Sequence, residues 1–403
     1  MPTISLFCAV SILGLAYVLA EFRGAPSTRI MLALTVAILS LGSAAFQSRI
    51  RQASTLLPGS LLSILAIFAA YSTSNFSQQP WSHRYDLLLW LLGIALTLLQ
   101  FRYQDWSPGL SISRRIIFPI ALLGFSLAGI NTIRQTPAPP IDVFLFQQAA
   151  AQALANGMNP YEAIIPDIYG PGNPGYNPMV ENGYTTYGTP YAPIVAIVSL
   201  PVYQITGDIR YMHMFELLAS ACLLVLMQES WVSLGAALLL LFNPFSLPLL
   251  ESAWMEPLTI LTFCAAVFTA SRWPRATPYL FGLFLATKQT NFALLPFCVF
   301  LLEKNWTWKS LATIYVKALA VAIATYLPFI YWNPHAFIQS MIYVQLNHPL
   351  RLDLVSYIAY AVRRGLPAPP MWIPFLTLPI GLYPACAMRH ALRKASPMPP
   401  RSC

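Results

Sequence analysis

Charge-free runs at 3–20, 30–48, 52–82, 116–133, 230–250, 318–334 and 365–388 constrain this chain more than any motif in it. A helix needs roughly 18 to 20 apolar residues to cross hydrocarbon, and the runs are of about that length. Between them there is too little charge to face water: 23 basic and 14 acidic residues make up 9% of 403, against roughly a quarter in soluble domains. The expected fold class is all-α, a polytopic transmembrane helical bundle of about 10 to 12 helices with one sizeable loop.

The net charge of +9 does not read as a nucleic-acid footprint, because Lys and Arg stand singly or in pairs at helix ends. A basic tract of about 5 to 8 residues is absent, so no nucleic-acid partner is expected. The cysteines at 8, 222, 264, 298 and 386 lie in apolar segments and Cys403 is terminal, with no CxxC pair. They read as small apolar residues. The first segment has no basic n-region ahead of it and reads as a retained helix, although Val18-Leu19-Ala20 resembles a cleavage site.

Residues 1–131 read as N-terminal transmembrane helices at about 3–20, 30–47, 57–73, 86–101 and 115–131. Arg49 with Arg51, and Arg102 with Arg114 and Arg115, mark alternate connections as cytoplasmic. That leaves the segment 132–190 on the extracytoplasmic side. It carries Arg134 against Asp142, Glu162, Asp167 and Glu181, a net charge of −3. Val143, Phe146, Ala150 and Leu154 form one apolar stripe, which predicts an interfacial amphipathic helix over 142–156 closed by Gly157. Residues 157–190 are dense in Gly, Pro and Tyr, which is turn chemistry with aromatic faces.

From 191 to 403 the C-terminal transmembrane helices are shorter and interrupted, at 191–206, 212–228, 230–249, 257–271, 276–288, 290–302, 310–331 and 371–388, followed by a short basic cytoplasmic tail. Asn243-Pro244 breaks one of them. Residues 276–302 read as a re-entrant or tilted hairpin with Lys288 near its tip.

Ionisable residues at such depths are costly and mark polar cavities or pairs. The candidates are Asp142, Glu251, Glu256, Lys288, His348 and Arg351. Asp142 follows Pro139-Pro140 and reads as a helix cap or as a base held in a dry site. Glu251 and Glu256 bracket Ser252-Ala253-Trp254-Met255, either as ordinary helix-end acids or as a sugar or cation site. Lys288 lies in the polar stretch Thr287-Lys288-Gln289-Thr290-Asn291 and reads as an anion-binding apex or as a snorkelling side chain. Arg351 can bind phosphate through two N–H groups or pair with Asp353. The tyrosines of 161–191 and Trp254 suit either sugar stacking or an interface belt.

Ile141-Asp142 before a short helix, Gly157-Met158-Asn159-Pro160-Tyr161, and Thr189-Pro190-Tyr191-Ala192-Pro193 opening the next helix resemble the GT-C glycosyltransferases. The likeness is to their polyprenyl-phosphate-mannose-type branch. It continues in order through Asn243-Pro244, the acids at 251 and 256, the Gly282 to Lys288 hairpin and the His348 to Asp353 loop, covering roughly 140–360. It implies a cell-membrane, multi-pass hexosyltransferase that takes a mannose-like sugar from a polyprenyl-phosphate donor to a glycolipid or glycan acceptor, with inversion. By the same resemblance Asp142 is the catalytic base, and Lys288, His348 and Arg351 hold the lipid phosphate. Tyr161, Tyr187, Tyr191, Glu251 and Glu256 hold sugar or acceptor hydroxyls. No metal ligand set and no cofactor are implied, and a divalent cation is left open. One departure is that the acid follows about the fifth helix rather than the first. A membrane transporter or a lipid or polysaccharide flippase is the alternative, and a partner-binding scaffold a third reading.

Overall fold

The computed structural model describes residues 31–32, 111, 113–170, 179–242, 246–301, 307–348, 350, 352 and 356–370. The helices expected at 57–73, 86–101 and 371–388, nearly all of those at 3–20 and 30–47, and the basic tail lie outside these residues. The described residues fall into two compact units. One comprises Asp105–Leu301 with Trp308–Leu350, and the other includes residues 352 and 356–370. In the latter, Ser356 caps the short helix Tyr357–Arg363 by accepting from the Ala359 N–H, and Arg363 donates to the Leu352 carbonyl.

The larger unit is mostly helical. A π-turn, Ser113–Ile117, leads into α1, Phe118–Gln135. Next come α2, Asp142–Ala155; α3, Pro193–Thr206; α4, Arg210–Met227; α5, Trp231–Phe242; and α6, Ser246–Glu251. They are followed by α7, Glu256–Arg272; α8, Thr277–Thr287; and α9, Trp308–Trp332. Among the described residues three helical stretches are long and apolar enough to cross a membrane: Ser113–Gln135, Arg210–Met227 and Trp308–Trp332. On α1, Ile120, Leu123 and Leu127 are each about 60% exposed. They form one stripe at helical spacing, a surface suited to lipid rather than water.

The expected helices recur with shifted ends. The hairpin expected over 276–302 is asymmetric: its first arm is α8, but Gln289–Leu301 winds as a 3₁₀ helix. The break expected at Asn243-Pro244 lies outside the described residues, between α5 and α6. At 14 residues α3 is short of a span, and it runs alongside α2. Tyr191, just before it, meets Phe146, and Tyr203 near its far end packs on the Phe144 face.

The stripe expected on α2 is only one of two buried faces. Phe146 packs with Ile165, Met179, Tyr187 and Val344, while Phe144 and Ala151 pack with Ile209 and Ala253. Gly157, with φ +71°, ends the helix one position beyond the cap residue Asn156. The Met158 N–H reaches the Ala153 carbonyl and the Gly157 N–H that of Leu154, the Schellman pattern.

The following loop is not all turn. Val180–Glu181 (β1) and Tyr184–Thr185 (β2) pair antiparallel across Asn182-Gly183, where both residues have positive φ. This small hairpin, with the isolated antiparallel bridge between Pro166 and Tyr184, departs from all-α structure. The loop closes where Gly188 lies against Tyr161: its N–H donates to Ser340 Oγ, and a β-carbon there would sit 2.3 Å from the Tyr161 carbonyl oxygen. We therefore expect Gly188→Ala to cost about 1–3 kcal/mol through forced separation of these strands of chain. A lowered melting temperature of the detergent-purified protein checks it; an unchanged one rules out the close approach.

Candidate functional site

Asp142 is the first residue of α2. The cap position is taken by Ile141, which is extended at φ −139° and ψ 134°, so the carboxylate is not the cap. Instead Asp142 Oδ1 accepts a hydrogen bond from the Tyr169 hydroxyl at 2.9 Å. Tyr169 is steadied by its own turn, its N–H donating to Asp167 Oδ1. An acid in the first turn also meets the positive end of the helix dipole.

One turn along the same face, Phe146 carries two more phenols. Tyr187 stacks on it at 5.4 Å and Tyr191 meets it edge-on at 6.4 Å. Burial pushes the Tyr187 and Tyr191 hydroxyls above the ordinary tyrosine range, and the Asp142 carboxylate pushes them the same way. Both stay protonated, and so remain hydrogen-bond donors, well into alkaline solution. Glu256 also acts on Tyr191. Glu256 opens α7 ahead of Pro257, and its Oε1 lies 2.5 Å from Lys288 Nζ. Asp142 thus has Tyr169 bonded to it, with Tyr187 and Tyr191 packed on the next turn of its helix, while Glu256 pairs with Lys288 and acts on Tyr191.

Lys288 sits in an extended link after α8. The polar stretch around it divides by role. Asn291 donates to the Phe284 carbonyl and to Thr287 Oγ1, satisfying the end of α8, while Gln289 is exposed and reaches Met341 Sδ at 3.6 Å.

The other expected site residues stand differently. Tyr161 is 1% exposed, wedged edge-on between Phe329 and Phe337, and its hydroxyl donates to the Tyr191 carbonyl. Its ring has no open face for a sugar; it ties the loop to the start of α3. Tyr187 is likewise only 4% exposed, with its ring stacked on Phe146. Glu251 does not join Glu256. Its backbone carbonyl faces Arg210, and its own carboxyl is raised by burial, against the pull of the Arg210 charge. His348 is half-buried, four residues beyond Val344 of the Phe146 cluster. Arg351 lies outside the described residues. Among the described residues no three His, Cys, Asp or Glu side chains gather as a metal set would.

Sequence reasoning missed the groups beneath the site. Arg210 is fully buried, yet each of its N–H donors has an acceptor. Nε and Nη2 bond the Asp208 carboxylate, Nη2 also the Ile133 carbonyl, and Nη1 the carbonyls of Thr136 and Glu251. Its cationic carbon stands 4.9 Å over the Phe144 ring. Below it on α4, His213 Nδ1 is 2.8 Å from Glu216 Oε2, and His213 Nε2 is 3.0 Å from Gln147 Oε1 on α2. Gln147 Nε2 donates to the carbonyl of Ala253 at 2.5 Å. Ala253 has φ +54°, a left-handed conformation that costs a residue with a β-carbon roughly 1–2 kcal/mol. The available signal was spacing: 210, 213 and 216 recur on one face of an otherwise apolar helix.

At the other end of α1 and α4, a cavity of about 650 Å³ is lined by Arg114, Arg115, Phe118, Cys222, Val225 and Glu229, among others. Arg114 there pairs with Glu229 at 2.5 Å, but Glu229 is 82% exposed. The two arginines should behave differently. Arg210→Met strands Asp208 and three carbonyls and is expected to cost about 3–5 kcal/mol. Arg114→Met, breaking a pair whose acid is exposed and one hydrogen bond to the Val225 carbonyl, should cost less, about 1–2 kcal/mol. Unfolding in denaturant with each variant decides the ranking. Compared with known protein families, curated proteins and solved structures, the chain matches none.

Proposed function

We propose that this chain is an integral-membrane glycosyltransferase of GT-C type, moving a hexose from a polyprenyl-phosphate donor to a glycolipid or glycan hydroxyl. The observation that carries the reading is Asp142 at the start of α2, bonded by the Tyr169 phenol, with a Glu256–Lys288 pair at the head of α7 and the end of α8. The full arrangement is a multi-pass bundle of about 10 to 12 helices. On this reading α2 lies at the extracytoplasmic interface, and the acidic loop 132–190 faces outward, in keeping with the distribution of basic residues.

In the proposed reaction an acceptor hydroxyl oxygen attacks the anomeric carbon and passes its proton to the Asp142 carboxylate. The bond from that carbon to the phosphate oxygen breaks with inversion, and polyprenyl phosphate leaves with the bonding electrons. Lys288 stabilises the phosphate, together with His348. Its ion pair with Glu256 is part-exposed, 28% and 43% for the two side chains. Such pairs contribute little, so Lys288 can turn to a phosphate at small cost. The phenols of Tyr169, Tyr187 and Tyr191 remain donors and hold the carboxylate or sugar hydroxyls. Where a divalent cation takes part, the Asp142 carboxylate would hold it, and it would supply positive charge against the leaving phosphate.

The buried His213–Glu216 pair, on a helix of membrane-crossing length, favours a second reading as a transporter or lipid flippase, where intramembrane ions are common. Two measurements separate them. Asp142→Asn is expected to abolish sugar transfer in membranes, a loss on the order of 10²-fold or more, while protein level and melting temperature stay normal. Unchanged transfer removes Asp142 as the base. In proteoliposomes the wild-type protein is expected to form glycosylated acceptor without moving free sugar lipid between leaflets; flux without product formation favours the flippase.

A further inference from the structure

We infer that Gln147 is a positioning residue: its amide, oriented by His213 and Glu216, holds the Ser252–Met255 connection in shape and so sets the position of Glu256 and, through it, of Lys288. Gln147 lies on the same helix as Asp142 and is 2% exposed. Its amide has one sense that works. With Nε2 donating to the carbonyls of Ala253 and Val143, Oε1 faces His213 Nε2. Turned over, Oε1 would face the Ala253 carbonyl, acceptor against acceptor. A proton on His213 Nε2 therefore locks the amide, and Glu216 at Nδ1 locks the ring.

What the amide grips is strained. Ala253 takes φ +54° without being glycine, a conformation that persists only where the surroundings over-determine it. The connection is short: Glu251 ends α6 and Glu256 begins α7, so the turn at Ala253 fixes where the Glu256 carboxylate starts and where Lys288 is drawn. One side chain thus sets both members of the ion pair. The effect on sugar transfer rests on the function proposed above, whereas the geometry of the connection does not.

Trp254 is the natural reporter, next to Ala253 and 43% exposed. Its emission is obtained by subtracting the spectrum of the same protein carrying Trp254→Phe. In Gln147→Leu, and in Gln147→Asn, which keeps the amide but shortens its reach, the Trp254 emission and its quenching by acrylamide should change. Transfer should fall on the order of 10²-fold, as for a displaced catalytic group. Adding Ala253→Gly, which takes the left-handed turn without strain, should return the Trp254 signal toward wild type and recover part of the activity; a general packing defect at 147 would not be rescued. Folded Gln147 variants with an unchanged Trp254 signal overturn the inference. A changed signal in a protein that never transfers sugar keeps the positioning role and instead removes the transferase reading.

Discussion

A buried guanidinium organises the larger unit. Arg210 takes the carbonyls of Ile133 and Thr136 at the C-terminal end of α1, the Asp208 carboxylate ahead of α4 and the carbonyl of Glu251 at the end of α6. Helix ends leave their last carbonyls unpaired, and a cation placed there satisfies them and the helix dipole together. Removing an arginine from water is costly, and that cost is offset only because every N–H finds an acceptor and Phe144 covers the flat face. Helices α1, α4, α6 and α2 are consequently tied to one point, directly below the residues proposed to do chemistry.

This arrangement also explains how the two acids of the 251–256 connection part company. Arg210 engages the carbonyl of Glu251 and acts on its carboxyl, while Glu256 pairs with Lys288. Four residues separate them in sequence, with a left-handed turn at Ala253 among them. A sequence reading that treats them as one pair of sugar ligands assigns both to the same pocket; the backbone sends them to different cations.

The tyrosines show a similar division of labour. Tyr161 and Tyr187 are both buried rings, the first knitting the loop to Phe329 and Phe337, the second stacking on Phe146. Tyr169, which sequence reasoning left among the general aromatics, is the one that bonds Asp142. Aromatic residues in a Gly- and Pro-rich loop look alike in sequence, because packing and binding draw on the same flat apolar surface. Which rings are enclosed depends on where Gly188 allows the chain to come close to itself.

Helix existence was legible in the sequence, since charge scarcity and 3.6-residue periodicity are local properties: the described helices recur where the apolar runs lie, with ends displaced by a few residues. Asp142 at the head of its helix and Lys288 in a polar break were legible for the same reason. The charges on α4 were not used, because Arg210, His213 and Glu216 look sparse when counted for topology and informative only when placed on one helical face. Their partners, Gln147 and the ends of α1 and α6, come from three distant stretches of chain. By itself the sequence determined a helical, membrane-suited chain and the chemical types available to its site. The partners of each buried charge, and the faces of α2 that are enclosed, were decided only by tertiary structure, because a hydrogen-bond acceptor has no one-dimensional signature until folding brings it within 3 Å.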